Sequence, residues 1–125
     1  AKEKLSHRIL HFGYCKSKEE YVKWISTSNI LPITSIQDFF GISVVEAVFY
    51  GNYPILPNCL SYPEIFDINL RSHLFYKNKT ELKEKLLRAI NNLNREKDLS
   101  NEMFKKYDWS NLAQEYDNTF ELLLN

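Results

Sequence analysis

Two carboxylates stand eight residues apart in a stretch almost empty of charge. Asp38 and Glu46 enclose Phe39-Phe40-Gly41-Ile42-Ser43-Val44-Val45, and between Asp38 and Glu64 the only charged side chain is Glu46. The run Gly41–Tyr50 has helical length and composition, and Gly51 is placed to end it. A helix that starts near Gly41 offers unpaired amides and a positive dipole end, which suits an anion such as a diphosphate. A glycine there lets a ligand approach the backbone closely. Glu46 falls inside the apolar helix Ile42-Ser43-Val44-Val45-Glu46-Ala47-Val48-Phe49, where an unpaired carboxylate is costly to bury. It needs water, a protein donor or a ligand rich in hydroxyls. The plainer readings are that Asp38 caps the helix and that a tyrosine or a backbone group holds Glu46.

Composition narrows the chemistry. Only three of the 125 residues are glycine, against roughly nine at an average usage of about 7%. Neither G-x-G-x-x-G nor G-x-x-x-x-G-K-[ST] occurs, so a phosphate must be met by a helix terminus instead of a Gly-rich loop. Sixteen basic and sixteen acidic side chains give zero formal charge, which removes the usual electrostatic argument for nucleic acid or anionic lipid. Eight Phe, eight Tyr and two Trp argue against disorder. Cys15 and Cys59 lack C-x-x-C spacing and fit reduced thiols of a cytoplasmic protein. His7, His11 and His73 have no metal-ligand spacing, so no metal is expected. No apolar run approaches 18 residues. The first residue is Ala1 rather than Met, which suggests a piece of a longer chain.

The elements that must position these groups follow from charge and apolar spacing. Residues 37–76 carry five charges, whereas 1–36 carry nine and 77–125 eighteen; the middle reads as core and both ends as solvated. Strands are expected at Ile9–Gly13, Ile30–Ile33, Tyr53–Leu56 and Leu74–Tyr76. A helix is expected over Ser17–Ser26, capped by Ser17 with Glu19 and Glu20 in its first turn. Thr34–Phe40 reads as a loop, and Tyr62-Pro63-Glu64 as a short helical turn with Pro at its start. Leu82, Leu86, Ile90 and Leu93 form an apolar stripe, and Glu81–Lys85 and Glu84–Arg88 have the spacing of helical ion pairs. Ser110 is expected to cap a last helix with Leu112, Tyr116 and Leu123 on one face, and Trp109 to anchor it by packing. Alternating strands and helices imply an α/β fold with a parallel sheet in a single domain. In such sheets ligands bind at the carboxyl ends of the strands, here at residues 34–41.

The ordered set of segments resembles a known family. Ser35 through Ala47 is similar to the E-x7-E signature of retaining GT-B glycosyltransferases of the family-four type. Gly51-Asn52-Tyr53-Pro54-Ile55 resembles their G-x-P-V segment, and Pro63-Glu64-Ile65 the E-I pair that follows. His11-Phe12-Gly13-Tyr14 is similar to the strand that ends in Gly before the helix carrying Tyr21. Tyr107-Asp108-Trp109-Ser110 resembles the aromatic-x-W segment before the terminal helix. The match runs from about residue 9 to 120. Its wording, F-F-G-I-S-V-V-E-A with L-S-Y-P-E-I-F, is most like the branch containing the tRNA-queuosine α-mannosyltransferases.

The resemblance implies a partial Rossmann-like donor-binding domain and a role for each matched position. Glu46 would hold the ribose hydroxyls of a sugar nucleotide. Asp38 would take the catalytic position beside the donor sugar, and the amides from Phe39 and Phe40 through Gly41 to Ile42 would meet sugar and diphosphate. Gly13 and Tyr14 would lie near the base, and Glu64 would support the pocket. Read from the residues alone, His11 and Tyr14 are packing groups and Glu64 is ordinary helix-start chemistry. The donor would be a GDP-, UDP- or ADP-sugar, GDP-mannose being favoured, with no metal. The acceptor is left open, and a tRNA would need basic surface from outside this stretch. Two departures stand out. Asp38 replaces the usual Glu, one methylene shorter, and the family's first two βα units, with their Arg and Lys, would precede Ala1, as would the N-terminal acceptor domain. A fragment of this kind is expected to be inactive alone. A binding module without transfer activity, or an interaction domain using the C-terminal helices, are the rival readings.

Overall fold

The computed structural model describes residues 2–92 and 108–124. After a first turn of helix α1 (Lys2–Leu5) and a 3₁₀ turn at Ser6–Arg8, the segment expected as a strand at 9–13 forms none. Leu10 and Phe12 are exposed, and the segment joins no ladder of the sheet. Without a neighbouring strand, the backbone of this segment has no ladder to join. Instead His11 stacks on Trp24 with ring centroids 5.3 Å apart.

Helix α2 (Lys18–Thr27) starts as its sequence requires, with the Ser17 hydroxyl accepting the Glu20 amide at 3.2 Å. Strand β1 (Ile30–Pro32) follows, then a loop to α3 (Ile42–Phe49) and strand β2 (Tyr53–Pro57). Helix α3 ends in a left-handed glycine motif: Gly51 donates to the Val48 carbonyl at 2.9 Å and Asn52 to that of Ala47 at 3.0 Å, which satisfies two terminal carbonyls. Two short helices, α4 (Tyr62–Ile65) and α5 (Ile68–Arg71), lead through a 3₁₀ turn to strand β3 (Phe75–Tyr76).

The three strands form a parallel sheet in the order β1-β2-β3. Central strand β2 is buried throughout yet holds Pro54 as its second residue. Tyr53 and Ile55 make the bonds to the β1 side, through the Asn29 carbonyl at 2.8 Å and the Ile33 amide at 2.9 Å. Pro54 therefore faces the other side, where pairing with β3 begins only at Leu56. The missing amide falls where no ladder bond is needed.

The charge-poor middle is the core. Val44 and Val48 of α3 join Tyr53, Ile55, Leu56, Tyr62, Phe66, Leu74 and Phe75, with Ala89 closing the cluster from α6 (Lys79–Asn91). Helix α6 lies against all three strands. Its inward stripe is Leu82, Leu86 and Ala89; Ile90 is exposed, and Leu93 lies outside the described residues. Glu81 turns back to cap the helix, accepting the Lys77 amide at 2.8 Å, and Lys85 donates to the His73 carbonyl at 2.7 Å. The expected Glu81–Lys85 pair thus gives way to bonds at the helix start, where the Asn78 side chain, as N-cap, also accepts the Thr80 and Glu81 amides at 3.0 Å.

The last helix, α7 (Trp109–Leu124), is capped by Asp108, not by Ser110: the Ser110 amide donates to Asp108 Oδ1 at 3.0 Å. Trp109 and Tyr116 touch on the helix's own surface, both exposed, so Trp109 is no packing anchor among the described residues. Tyr107 lies outside the described residues.

Candidate functional site

The loops that leave the carboxyl ends of β1 and β2 meet at the start of α3. Gly41 is its N-cap, with φ +62°, a left-handed conformation that side chains resist. Space is tight as well: a Cβ there would sit 3.0 Å from Tyr62 Cε1, so the ring would have to give way, and 3.4 Å from Ile65 Cδ1. The α4 turn thus presses directly against the helix start, which is why a glycine is needed where the chain bends into α3.

Asp38 is bound at this junction from two sides. Its Oδ1 accepts the Gly41 amide at 2.9 Å, and its Oδ2 accepts the Tyr62 hydroxyl at 2.6 Å. The Tyr62 hydroxyl first, then the Gly41 amide, hold the carboxyl below the usual aspartate range; burial opposes them, and the Phe40 amide adds the least. Burial pushes the Tyr62 phenol up, and the bond to Asp38 and its charge push it further. The capping reading of Asp38 describes what this carboxylate does here. The first amide of the anion-ready helix start is already met by a protein carboxylate. The next two, of Ile42 and Ser43, have no acceptor among the described residues.

Glu46 occupies the opposite situation. Val44, Ala47 and Val48 point α3 into the core, and Glu46 lies on the outer face, exposed to solvent. The expectation that an apolar helix would bury it is corrected by the helix's periodicity: one stripe faces the core and Glu46 falls outside it. Its Oε2 accepts the Tyr21 hydroxyl of α2 at 3.3 Å. Burial raises the Tyr21 phenol, followed by the charge of Glu46, the hydrogen bond to it, and the nearby Cys15 and Tyr50. Only one carboxylate oxygen is drawn toward protein.

The remaining expected residues are placed as follows. Phe39, Phe40 and Ile42 project outward, at 89%, 74% and 65% exposed. Glu64 is exposed on α4, the turn that carries Tyr62 to Asp38. Gly13 adopts φ +110° with open space around it, and Tyr14 is 98% exposed; the reading of Tyr14 as a packing group is wrong. The structure does not draw these two onto the carboxylates. The 11–15 arm approaches through Cys15, whose thiol lies near the Tyr21 hydroxyl and 3.6 Å from His11 Nε2. Among the described residues no group of three or more His, Cys, Asp or Glu side chains could hold a metal ion.

Two site residues carry no signal of their own in the sequence. Tyr21 and Tyr62 stand among eight tyrosines, and only the fold shows that each donates to one of the paired acids. The available clue is chemical: a tyrosine in a buried run needs a partner for its hydroxyl.

Residues 1–106 match the family described as glycosyl transferases group 1. A tRNA-queuosine alpha-mannosyltransferase of Drosophila melanogaster is 45% identical over 64 residues, 51% of this chain and 17% of that protein. The matched stretch is therefore a small part of that relative. No solved structure matches the chain significantly.

Proposed function

The chain belongs to the glycosyl transferases group 1 family, and from that premise we propose that it forms the donor-binding part of a retaining hexosyltransferase that uses a sugar nucleotide. The observation that carries this reading is the outer face of α3. Glu46 stands exposed and held by a single tyrosine hydroxyl, four residues beyond Ile42 and its acceptor-free amide. Four residues span about 6 Å along a helix, so one ligand can meet both: ribose hydroxyls at Glu46 and a diphosphate at the amides of Ile42 and Ser43. Asp38, at the same helix start, lies where the sugar attached to that diphosphate would be. Gly13, Tyr14 and Glu64 complete the proposed pocket at the base and beneath the sugar.

In this reading the protein accelerates transfer by positioning and by stabilising negative charge as the diphosphate departs. The helix-start amides are fixed before the ligand arrives, so they need no reorganisation as charge develops. Retention follows if the acceptor attacks on the face from which the diphosphate leaves. The donor is a GDP-, UDP- or ADP-hexose, GDP-mannose first among them, and the reaction needs no metal. The acceptor class named for the fly relative, a queuosine-bearing tRNA, is the first to test. Zero net charge means that basic surface from elsewhere in the full-length protein would hold such an acceptor. We infer further that this stretch alone does not transfer sugar and that the parent works in the cytoplasm, which the free thiols of Cys15 and Cys59 support. Among the described residues no helix is long and apolar enough to cross a membrane.

The test is calorimetry of the full-length protein against GDP-, UDP- and ADP-hexoses, then incubation of the best donor with queuosine-containing tRNA. A hexose added with its anomeric configuration kept is the expected product; an inverted linkage contradicts the retaining assignment. A second reading, donor binding without transfer, is favoured by one observation: both oxygens of Asp38 are already hydrogen-bonded to protein. Binding with neither hydrolysis nor transfer would select it.

A further inference from the structure

We propose that Tyr62 is the positioning residue of the donor-sugar contact, its hydroxyl locking Asp38 against the start of α3 so that the short carboxylate meets the sugar from one fixed direction. The proposal rests on the donor-site reading above and deepens it.

Tyr62 is 0% exposed, and its ring lies directly beneath Gly41. Packing alone would be served by phenylalanine. Phe66, four residues on and equally buried in the same cluster, does that without a hydroxyl. Burying a phenol costs free energy unless the hydroxyl is bonded, and this one spends its proton on Asp38 Oδ2 at 2.6 Å. The hydroxyl is therefore explained by the carboxylate it holds.

The carboxylate is held without being used up. An ionised carboxylate offers about four acceptor positions. Tyr62, Gly41 and Phe40 supply three donors, which leaves room for a sugar hydroxyl. Asp38 also keeps contact with solvent, being only half-buried. The two bonds come from elements 24 residues apart in sequence and three residues apart. Together they fix both side-chain torsions, so ordering Asp38 is a cost met in folding and not in binding. A carboxylate one methylene shorter than the family's usual Glu has less reach. Tyr62 compensates by fixing where that shorter reach points.

The test uses the full-length protein and three variants: Tyr62→Phe, which keeps the buried ring, Asp38→Asn, and the double variant. For GDP, UDP and ADP and their hexose conjugates, calorimetry reads the affinity for nucleotide alone and the increment due to sugar; sugar release or transfer reads turnover. Tyr62→Phe is expected to leave nucleoside diphosphate affinity unchanged and to lower turnover of the sugar nucleotide by about 10²-fold, as a misplaced contact does. Asp38→Asn should cost as much, and the double variant no more than either, because the two act as one unit.

Two results overturn the proposal while leaving the donor site standing: full turnover in Tyr62→Phe, or losses that multiply in the double variant. An equal loss of nucleoside diphosphate affinity in Tyr62→Phe also overturns it, since Tyr62 would then shape the helix start and not the sugar contact. Glu46→Ala in parallel reports on the donor site itself. If that variant binds every nucleotide as the unsubstituted protein does, or if the unsubstituted protein binds none, the underlying reading fails and this proposal with it.

Discussion

The two acids that frame α3 are each paired with a tyrosine, and the pairs differ in almost every respect. Asp38 and Tyr62 meet at 2.6 Å around a fully buried ring, with a backbone amide on the second oxygen. Glu46 and Tyr21 meet at 3.3 Å on an exposed face, and only one oxygen is drawn toward protein. The first pair belongs to the fold: it caps a helix, fixes a loop and ties α4 to α3. The second leaves more capacity over for a ligand: one protein bond on Glu46 against three donors on Asp38. Burial decides the difference. A buried hydroxyl must be satisfied by the protein itself, whereas an exposed carboxylate loses little by waiting for a partner from solution.

Substitutions that break the closed pair should act first on stability. Tyr62→Ala is expected to cost about 3–5 kcal/mol, as for other large buried aromatics, measured by urea unfolding; a cost below 1 kcal/mol would mean that the ring does not close the core beneath Gly41. Gly41→Ala should cost about 1–3 kcal/mol from left-handed strain plus its contact with Tyr62. If it proves neutral, the α3 start does not hold the tight geometry described here.

The closed pair also has a pH signature. The folded protein holds the Asp38 carboxyl below its ordinary value, chiefly through Tyr62. Its contribution to stability is therefore present above the ordinary aspartate pKa of about 3.9 and is lost as pH falls through the lowered folded value. In Tyr62→Phe this acid-dependent loss should shrink, and unfolding curves from pH 2 to 6 would show it. An unchanged acid profile would put the stabilisation elsewhere.

The open pair should behave in the opposite sense. Tyr21→Phe removes one long, exposed hydrogen bond, so stability should fall by less than about 1 kcal/mol while donor affinity weakens several-fold. Tyr14→Ala, at 98% exposed, should change stability by no more than about 0.5 kcal/mol. A larger loss at either position would show that the 11–15 arm and α2 are bound into the fold more tightly than their exposure indicates.

Much of this contrast was legible in the sequence, but not all. The charge gap between Asp38 and Glu64 located the core, and apolar spacing located α3 and the loop before it. Ser17 and Gly51 announced a helix start and a helix end because cap chemistry is local. Strand 9–13 misled because a short apolar run looks the same whether or not a neighbouring strand exists to pair with it. Glu46 misled through composition. An apolar helix still has an outer face, and only the phase of Val44, Ala47 and Val48 shows that Glu46 lies on it. The tyrosine partners were invisible for a different reason: Tyr21 to Glu46 and Asp38 to Tyr62 span 25 and 24 residues, and no local rule links groups so far apart.

The claim that the open pair is the ligand's anchor meets its most direct test in one titration. Full-length protein and its Glu46→Ala variant are compared by calorimetry with the same nucleoside diphosphate, after unfolding curves confirm equal stability. Loss of hydrogen bonds to a charged group corresponds to about 1.5–3 kcal/mol, so the variant should bind roughly 10- to 100-fold more weakly. Equal affinity would contradict the assignment of Glu46 to the donor.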